Sequence, residues 1–215
     1  PVYLISYGQT EIESGLASII TTITPINTLI VGIIFFGLAF TKKQLLGLLI
    51  GLGGAILLIY EASEADFNLN IYYSFFIYMT TVGYAASVNL IKNYLTEISP
   101  EAVTAGIFIS ISPPALIVLL LSDFSSLNFQ DPSILNSIIF VFVLGVFSSA
   151  IAQTLFNKFV KIASPLFASA VTYTMPIVAI FWAIIDGETL TVMQFFATAI
   201  ILVGVYMVNK KKKSN

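Results

Sequence analysis

The chain of 215 residues is 58% hydrophobic and 9% charged, with a formal net charge of −2. A soluble domain carries about 25% charged residues because something must face water, so this chain reads as a polytopic membrane protein. Cysteine and histidine are both absent, which excludes disulfides, thiolate or imidazole metal sites, and a Ser-His or Cys-His nucleophile from these residues.

A helix needs roughly 17–25 apolar residues to cross the hydrocarbon. Reading between charges gives seven windows of that kind, at 14–41, 44–60, 67–91, 102–122, 132–157, 162–185 and 189–209. The preceding PVYLISYGQ resembles the tail of a further span, and a chain that starts at Pro1 is expected to lack its own N-terminal part. If every window crosses once, Lys42, Lys43, Lys92, Lys158, Lys161 and the run Lys210 to Lys213 all fall on one side. Glu11, Glu13, Glu61, Glu64, Asp66, Asp123, Asp131, Asp186 and Glu188 fall on the other, and only Glu97 and Glu101 share the lysine side. Lysine bias in short loops sets orientation. The expectation is a multi-pass protein of the plasma membrane (a bacterial inner membrane) with a cytoplasmic C-terminus, where 210–215 forms a basic tail.

An internal repeat organises these windows. At one fixed offset Ala17 falls on Ala168, Ser18 on Ser169, Thr21 on Thr172, Pro25 on Pro176 and Gly53 on Gly204. The two copies lie in windows that cross in opposite directions, so the repeats are inverted in the membrane, an arrangement of many secondary transporters. The offset implies five spans per unit. Residues 1–61 then hold the last part of a first unit and 70–209 a complete second one, joined by the acidic link at 61–70. The fold class expected is an all-α membrane bundle of two inverted five-helix repeats, with about seven of ten helices present.

Pro25 and Pro176 sit inside spans, lack an N–H, and free the carbonyl four residues earlier, which belongs to Thr21 and Thr172. One reading is a pair of kinked helices facing a partly wet cavity; the other is a packing kink satisfied by neighbouring threonine hydroxyls. Polar groups concentrate on four spans. Thr21, Thr22, Thr24, Asn27 and Thr28 lie on the first, and Tyr78, Thr80, Thr81, Tyr84 and Asn89 on the third. Gln153 and Asn157 share one face of the fifth at i, i+4 spacing, and Thr172 and Tyr173 lie on the sixth. Amides facing lipid are costly, so these point inward, as a substrate-binding stripe or as interhelical glue. Gly47, Gly51 and Ala55 form a small-residue face, suited to packing within the chain or to a homodimer. No acid or lysine lies in mid-span, so a proton-coupling carboxylate, if present, lies at a span end or outside these residues.

The stretch GLASIITTITPINTLI resembles the fourth helix of the EamA domain, the repeat unit of the drug/metabolite transporter superfamily. SPLFASAVTYTMPIVAIFWAIIDGETLTVMQFFATAIILVGVYMV resembles its fourth and fifth helices, through Tyr173, Pro176 and Ala179, then Gly187-Glu188, then Gly204-Val205. The first copy departs, with Phe36-Gly37-Leu38 in place of Gly-Glu. The resemblance implies ten helices in two inverted halves and outward movement of small metabolites such as amino acids or drugs by alternating access. An intramembrane enzyme would need a buried Asp pair, a histidine base or a metal motif, which these residues lack, so no cofactor and no enzymatic activity are expected, with protons as a candidate coupling ion. The cavity candidates are Thr21, Pro25, Tyr78, Tyr84, Gln153, Asn157, Thr172, Tyr173 and Pro176. A non-transporting scaffold or accessory subunit is the alternative.

Overall fold

The computed structural model describes residues 2–12, 14–62, 70–122, 124, 131–175, 177–178, 181, 185 and 191–209. Those residues form helices and connecting turns, with no strand among them. In chain order these are α1 (Val2–Gly8), α2 (Ser14–Thr21), α3 (Thr24–Phe36), α4 (Lys42–Ala62), α5 (Ile71–Tyr94) and α6 (Pro100–Leu121). They are followed by α7 (Pro132–Leu144), a π-helical segment (Gly145–Ile151), α8 (Ala152–Ile162), α9 (Pro165–Ala170), a 3-10 turn (Val171–Thr174) and α10 (Val192–Asn209). Six stretches among the described residues are long and apolar enough to cross a membrane: Leu16–Phe36, Lys42–Glu61, Ile71–Tyr94, Pro100–Leu121, Pro132–Ile162 and Val192–Asn209. The seventh expected window, 162–185, opens with α9 and the 3-10 turn, and its later part lies largely outside the described residues.

Local chemistry fixes where the helices start. Ser99, Asp131 and Ser164 each precede a proline, and each side chain accepts a backbone N–H of the first turn: Ala102, Ser133 and Phe167 respectively. A capping oxygen followed by proline at the first helical position satisfies one orphan donor and removes another. Hydrogen bonds to Ser133 hold the Asp131 carboxyl below its usual range. α3 ends where Gly37 turns left-handed at φ 59°, its N–H bonded to the Gly32 carbonyl. The Phe36-Gly37-Leu38 departure of the first copy is therefore a helix stop, since glycine adopts that conformation without penalty.

By contact the chain divides into two compact units, Pro1–Asn93 with Ala163–Asn215, and Tyr94–Ile162. This division cuts across the sequence boundary at 61–70 because α4, from the first copy, pairs with α10, from the second. α4 and α10 run antiparallel. A Cβ on Gly47 would meet the Gly204 carbonyl at 2.7 Å, one on Gly204 the Gly51 nitrogen at 2.5 Å, and one on Gly54 the Ile201 nitrogen at 2.9 Å. Backbone lies directly on backbone. Lipid gives no hydrophobic drive between helices, so such close approach gains its stability from dispersion. Leu48, Leu58, Ala197, Ile201 and Tyr173 close over the contact, each at most 1% exposed. The small-residue face of Gly47, Gly51 and Ala55 is thus spent inside the chain.

Both helices of this pair open with the same capping box. Thr41 N–H donates to Gln44 Oε1 at 2.9 Å and Gln44 N–H to Thr41 Oγ1 at 3.2 Å. Thr191 and Gln194 repeat the pattern at 2.9 and 3.2 Å. Each is a reciprocal satisfaction of two orphan donors. Their spacing is 150 residues (41 to 191 and 44 to 194), one less than between Thr21 and Thr172. The register therefore slips by one in the intervening turn, and the partner of Gly204 is Gly54 rather than Gly53. Geometry agrees: a Cβ on Gly204 would meet the nitrogen of residue 51 and one on Gly54 that of residue 201, whereas one on Gly53 would meet nothing within 4 Å outside its own helix.

Candidate functional site

In the first unit, the span Leu16–Phe36, which carries Thr21 and Pro25, passes through a two-residue turn between α2 and α3, with helical backbone bonds from Thr22 to Ser18 and from Asn27 to Ile23 on either side. α2 stops at Thr21, Thr22 and Ile23 form a turn, and α3 begins at Thr24 with Pro25 in its first turn. The Thr21 carbonyl accepts the Thr24 hydroxyl at 2.6 Å, so a neighbouring threonine satisfies the group that proline leaves free. The second copy behaves alike. α9 gives way to the 3-10 turn at Val171, and the Thr172 carbonyl accepts the Met175 N–H. Thr21 and Thr172 also make the same bond, their hydroxyls donating to the Ser18 and Ser169 carbonyls at 2.9 and 2.8 Å. Pro176 itself lies outside the described residues. Two spans are thus interrupted at positions matched by the repeat.

Just past the first turn, α5 grips α3 through buried amides. Asn27 Nδ2 donates to Thr81 Oγ1 at 2.7 Å, and Tyr78, itself partly exposed, donates to Asn27 Oδ1 at 3.5 Å. Further along α5, Asn89 Nδ2 bonds the Thr28 carbonyl at 3.0 Å and the Ala85 carbonyl of its own helix at 2.9 Å. Its Oδ1 has no hydrogen-bond partner among the described residues. That oxygen fits because residue 32 is glycine, whose Cβ would stand 2.9 Å from it. Tyr84 is 40% exposed on the same helix. Tyr173 is fully buried, its ring against Gly51 among the aliphatic side chains of α4 and α10.

The second unit holds its own polar cluster. Gln153 Nε2 donates to Asn157 Oδ1 at 3.1 Å, as their shared face requires. Asn157 Nδ2 donates across to Thr104 Oγ1 of α6 at 2.9 Å, and Thr154 reaches the same oxygen at 3.1 Å. The π-helical segment just before them adds a residue to the turn and re-phases α8, a feature frequent at functional sites. Thr104 was invisible as a partner in the sequence, where a lone threonine at a helix start carries no pairing signal. Asn27, Thr81 and Asn89 stood among the polar residues of their spans, but nothing local tells which hydroxyl meets which amide.

These features define an all-helical, multi-pass membrane protein whose largely aliphatic interior carries buried hydroxyls and amides. The EamA-like transporter family model matches residues 1–60 and 71–210, and the chain belongs to that family. An uncharacterized transporter of Archaeoglobus fulgidus is 28% identical over 209 residues, covering 97% of this chain and 72% of the relative. The uncharacterized inner membrane transporter YedA of Escherichia coli strain K12 is 26% identical over 204 residues, covering 94% of this chain and 64% of YedA. A solved crystal structure superposes on 99% of this chain and 72% of its own, with a TM-score of 0.76 at 13% identity. That likeness speaks for the fold.

Proposed function

We propose that this protein is a carrier of small organic metabolites, a class that includes amino acids and drug-like compounds, and moves them outward by alternating access. The observation that carries the reading is the pair of matched turns, at Thr22–Ile23 and Val171–Thr174. Such a turn lets one half of a span tilt against the other while its backbone bonds persist, and discontinuous helices of this kind border the binding sites of inverted-repeat transporters. Substrate binds through hydroxyls, amides and backbone carbonyls, with Thr21, Tyr78, Tyr84 and Thr172 as contacts in the first unit and Gln153 with Asn157 in the second. The C-terminus is cytoplasmic, on the side of the lysines, and protons are the candidate coupling ion. The relatives named as transporters and the family membership support the transporter part of this reading.

The test is counterflow in liposomes carrying the full-length protein, with a labelled pool of amino acids and related metabolites. Accumulation above empty liposomes, reduced in the Thr172→Val/Tyr84→Phe double variant at unchanged membrane insertion, is the expected outcome. Equal accumulation by a well-inserted double variant removes those two residues from the mechanism. A protein that counterflows nothing across the pool is not a carrier of this class.

A further inference from the structure

A shallow groove of about 580 Å³ runs along α6 in the second unit. Leu95 and Ile98, in the turn before the helix, form its mouth, and Val103, Ile107, Ser110 and Pro114 line it further along. These helical positions recur at three- and four-residue spacing, which puts them on one side of α6. That side flanks the face on which Thr104 meets Asn157 of α8. Ser110 brings the only side-chain hydroxyl of the lining, and its proton goes to the Gly106 carbonyl at 2.7 Å. At Gly106 the groove is open, since an added Cβ would meet nothing within 4 Å. A small-molecule site fixes its occupant through a few well-placed polar groups. This groove offers almost none and suits a hydrocarbon chain, whose burial needs no partner. From Ala102 to Pro114 the helix rises about 18 Å, close to the depth of one leaflet of a hydrocarbon core about 30 Å thick.

The mouth of the groove is charged, and with both signs. Lys161 Nζ donates to the Thr96 carbonyl at 3.4 Å, in the same turn as Leu95 and Ile98. Lys158 stands one turn earlier on α8. Glu101, next to Ala102 at the start of α6, lies within the field of both lysines, and Glu97 sits in the turn between Thr96 and Ile98. Two lysines and two glutamates carry no net charge, so a purely anionic headgroup gains from the lysines about what it loses to the acids. A headgroup with a phosphate and a primary ammonium finds a partner for each. The lysines donate to the phosphate oxygens, and the carboxylates accept from the ammonium. A quaternary ammonium has no proton to give them.

We infer that α6 and α8 hold a phospholipid of the phosphatidylethanolamine class, with an acyl chain in the groove and the headgroup among Lys158, Lys161 and Glu101. The basic end of a groove between membrane helices is a setting for headgroup recognition, and here the acids select among headgroups. The site does not depend on the carrier reading. The test is native mass spectrometry of the full-length protein in detergent micelles, titrated with phosphatidylethanolamine, phosphatidylglycerol and phosphatidylcholine of identical acyl chains. Phosphatidylethanolamine should fill one saturable site about tenfold more tightly than the other two, the factor of one charge-assisted hydrogen bond. Glu101→Gln should remove its advantage over phosphatidylglycerol, and Lys158→Gln should weaken all three lipids. Gly106→Leu, which starts into open space, should weaken all three severalfold with the melting temperature unchanged or raised. Phosphatidylglycerol or phosphatidylcholine binding as tightly as phosphatidylethanolamine overturns the inference, and so does a Gly106→Leu variant that binds like the parent. Absence of saturable binding, the result if another segment of a longer chain fills the groove, overturns it as well.

Discussion

The contact between α4 and α10 makes Gly204 a demanding position. A Cβ there would stand 2.5 Å from the Gly51 nitrogen, 2.6 Å from its Cα and 2.7 Å from the Gly47 carbonyl. All three are backbone atoms, which no rotamer change can move. Ordinary contact begins near 3.4 Å, so Gly204→Ala forces the helices roughly 1 Å apart, a gap that forfeits a quarter to a half of each dispersion well across the interface. Overpacking of this kind costs about 1–3 kcal/mol. At about 2–4 °C per kcal/mol for a chain of this size, the melting temperature falls by roughly 2–12 °C. Gly53→Ala is the internal control. It meets nothing within 4 Å and gains up to about 1 kcal/mol of helix propensity, so it leaves stability unchanged or slightly raised. The assay is thermal unfolding in detergent micelles, followed by circular dichroism, with both variants at matched protein and detergent concentrations. Equal melting temperatures for Gly204→Ala and Gly53→Ala would refute both the close backbone approach and the one-residue register slip.

The twin capping boxes predict unequal losses from equal substitutions. Gln44 also donates to the Val208 carbonyl at 3.3 Å, tying α4 to the end of α10; Gln44→Ala should therefore lower the melting temperature more than Gln194→Ala, and the same loss in both would remove the tie. At the second cluster, Thr104→Val takes an acceptor from Asn157 and Thr154 and should cost about 1 kcal/mol, the scale of interhelical hydrogen bonds in membranes. Thr104→Ser keeps the oxygen and should restore stability, so a valine variant as stable as the serine one would show the bridge to be idle. Asp131 titrates as a helix cap whose folded-state carboxyl lies below its usual range. Its contribution is present above the unfolded carboxylate pKa and disappears as pH falls through the lower folded value. Protection factors at the start of α7, with the intrinsic pH dependence of exchange divided out, should fall on acidification through that window in the native protein and stay level in Asp131→Asn, which caps without charge.

How much of this could be read in advance differs residue by residue. The membrane class and most of the spans followed from 9% charge in 215 residues, because a bilayer-facing surface leaves no alternative composition. The shared face of Gln153 and Asn157 followed from helical spacing alone. The repeat was visible through Thr21, Thr172 and the matched Ala-Ser pairs, and so was an interruption near Pro25. What filled the freed Thr21 carbonyl was open between water, ligand and a neighbour, and the Thr24 hydroxyl decided it. The homodimer argument from Gly47, Gly51 and Ala55 ended in the same manner, with α10 occupying that face.

The sequence by itself determined an all-helical membrane protein with an internal repeat, since hydropathy, charge placement and repeated motifs are properties of the chain read along its length. Only the tertiary structure decided that the copies interlock through α4 and α10, that Gly54 rather than Gly53 answers Gly204, and that Tyr173 sits among aliphatic side chains while Asn27, Thr81 and Asn89 hold α3 to α5. Those facts depend on which surfaces meet across 54 residues of sequence, as in Asn27 with Thr81, or 164, as in Gln44 with Val208. A one-residue difference in a turn rotates a helix by about 100°, and that rotation shows only in what the helix touches.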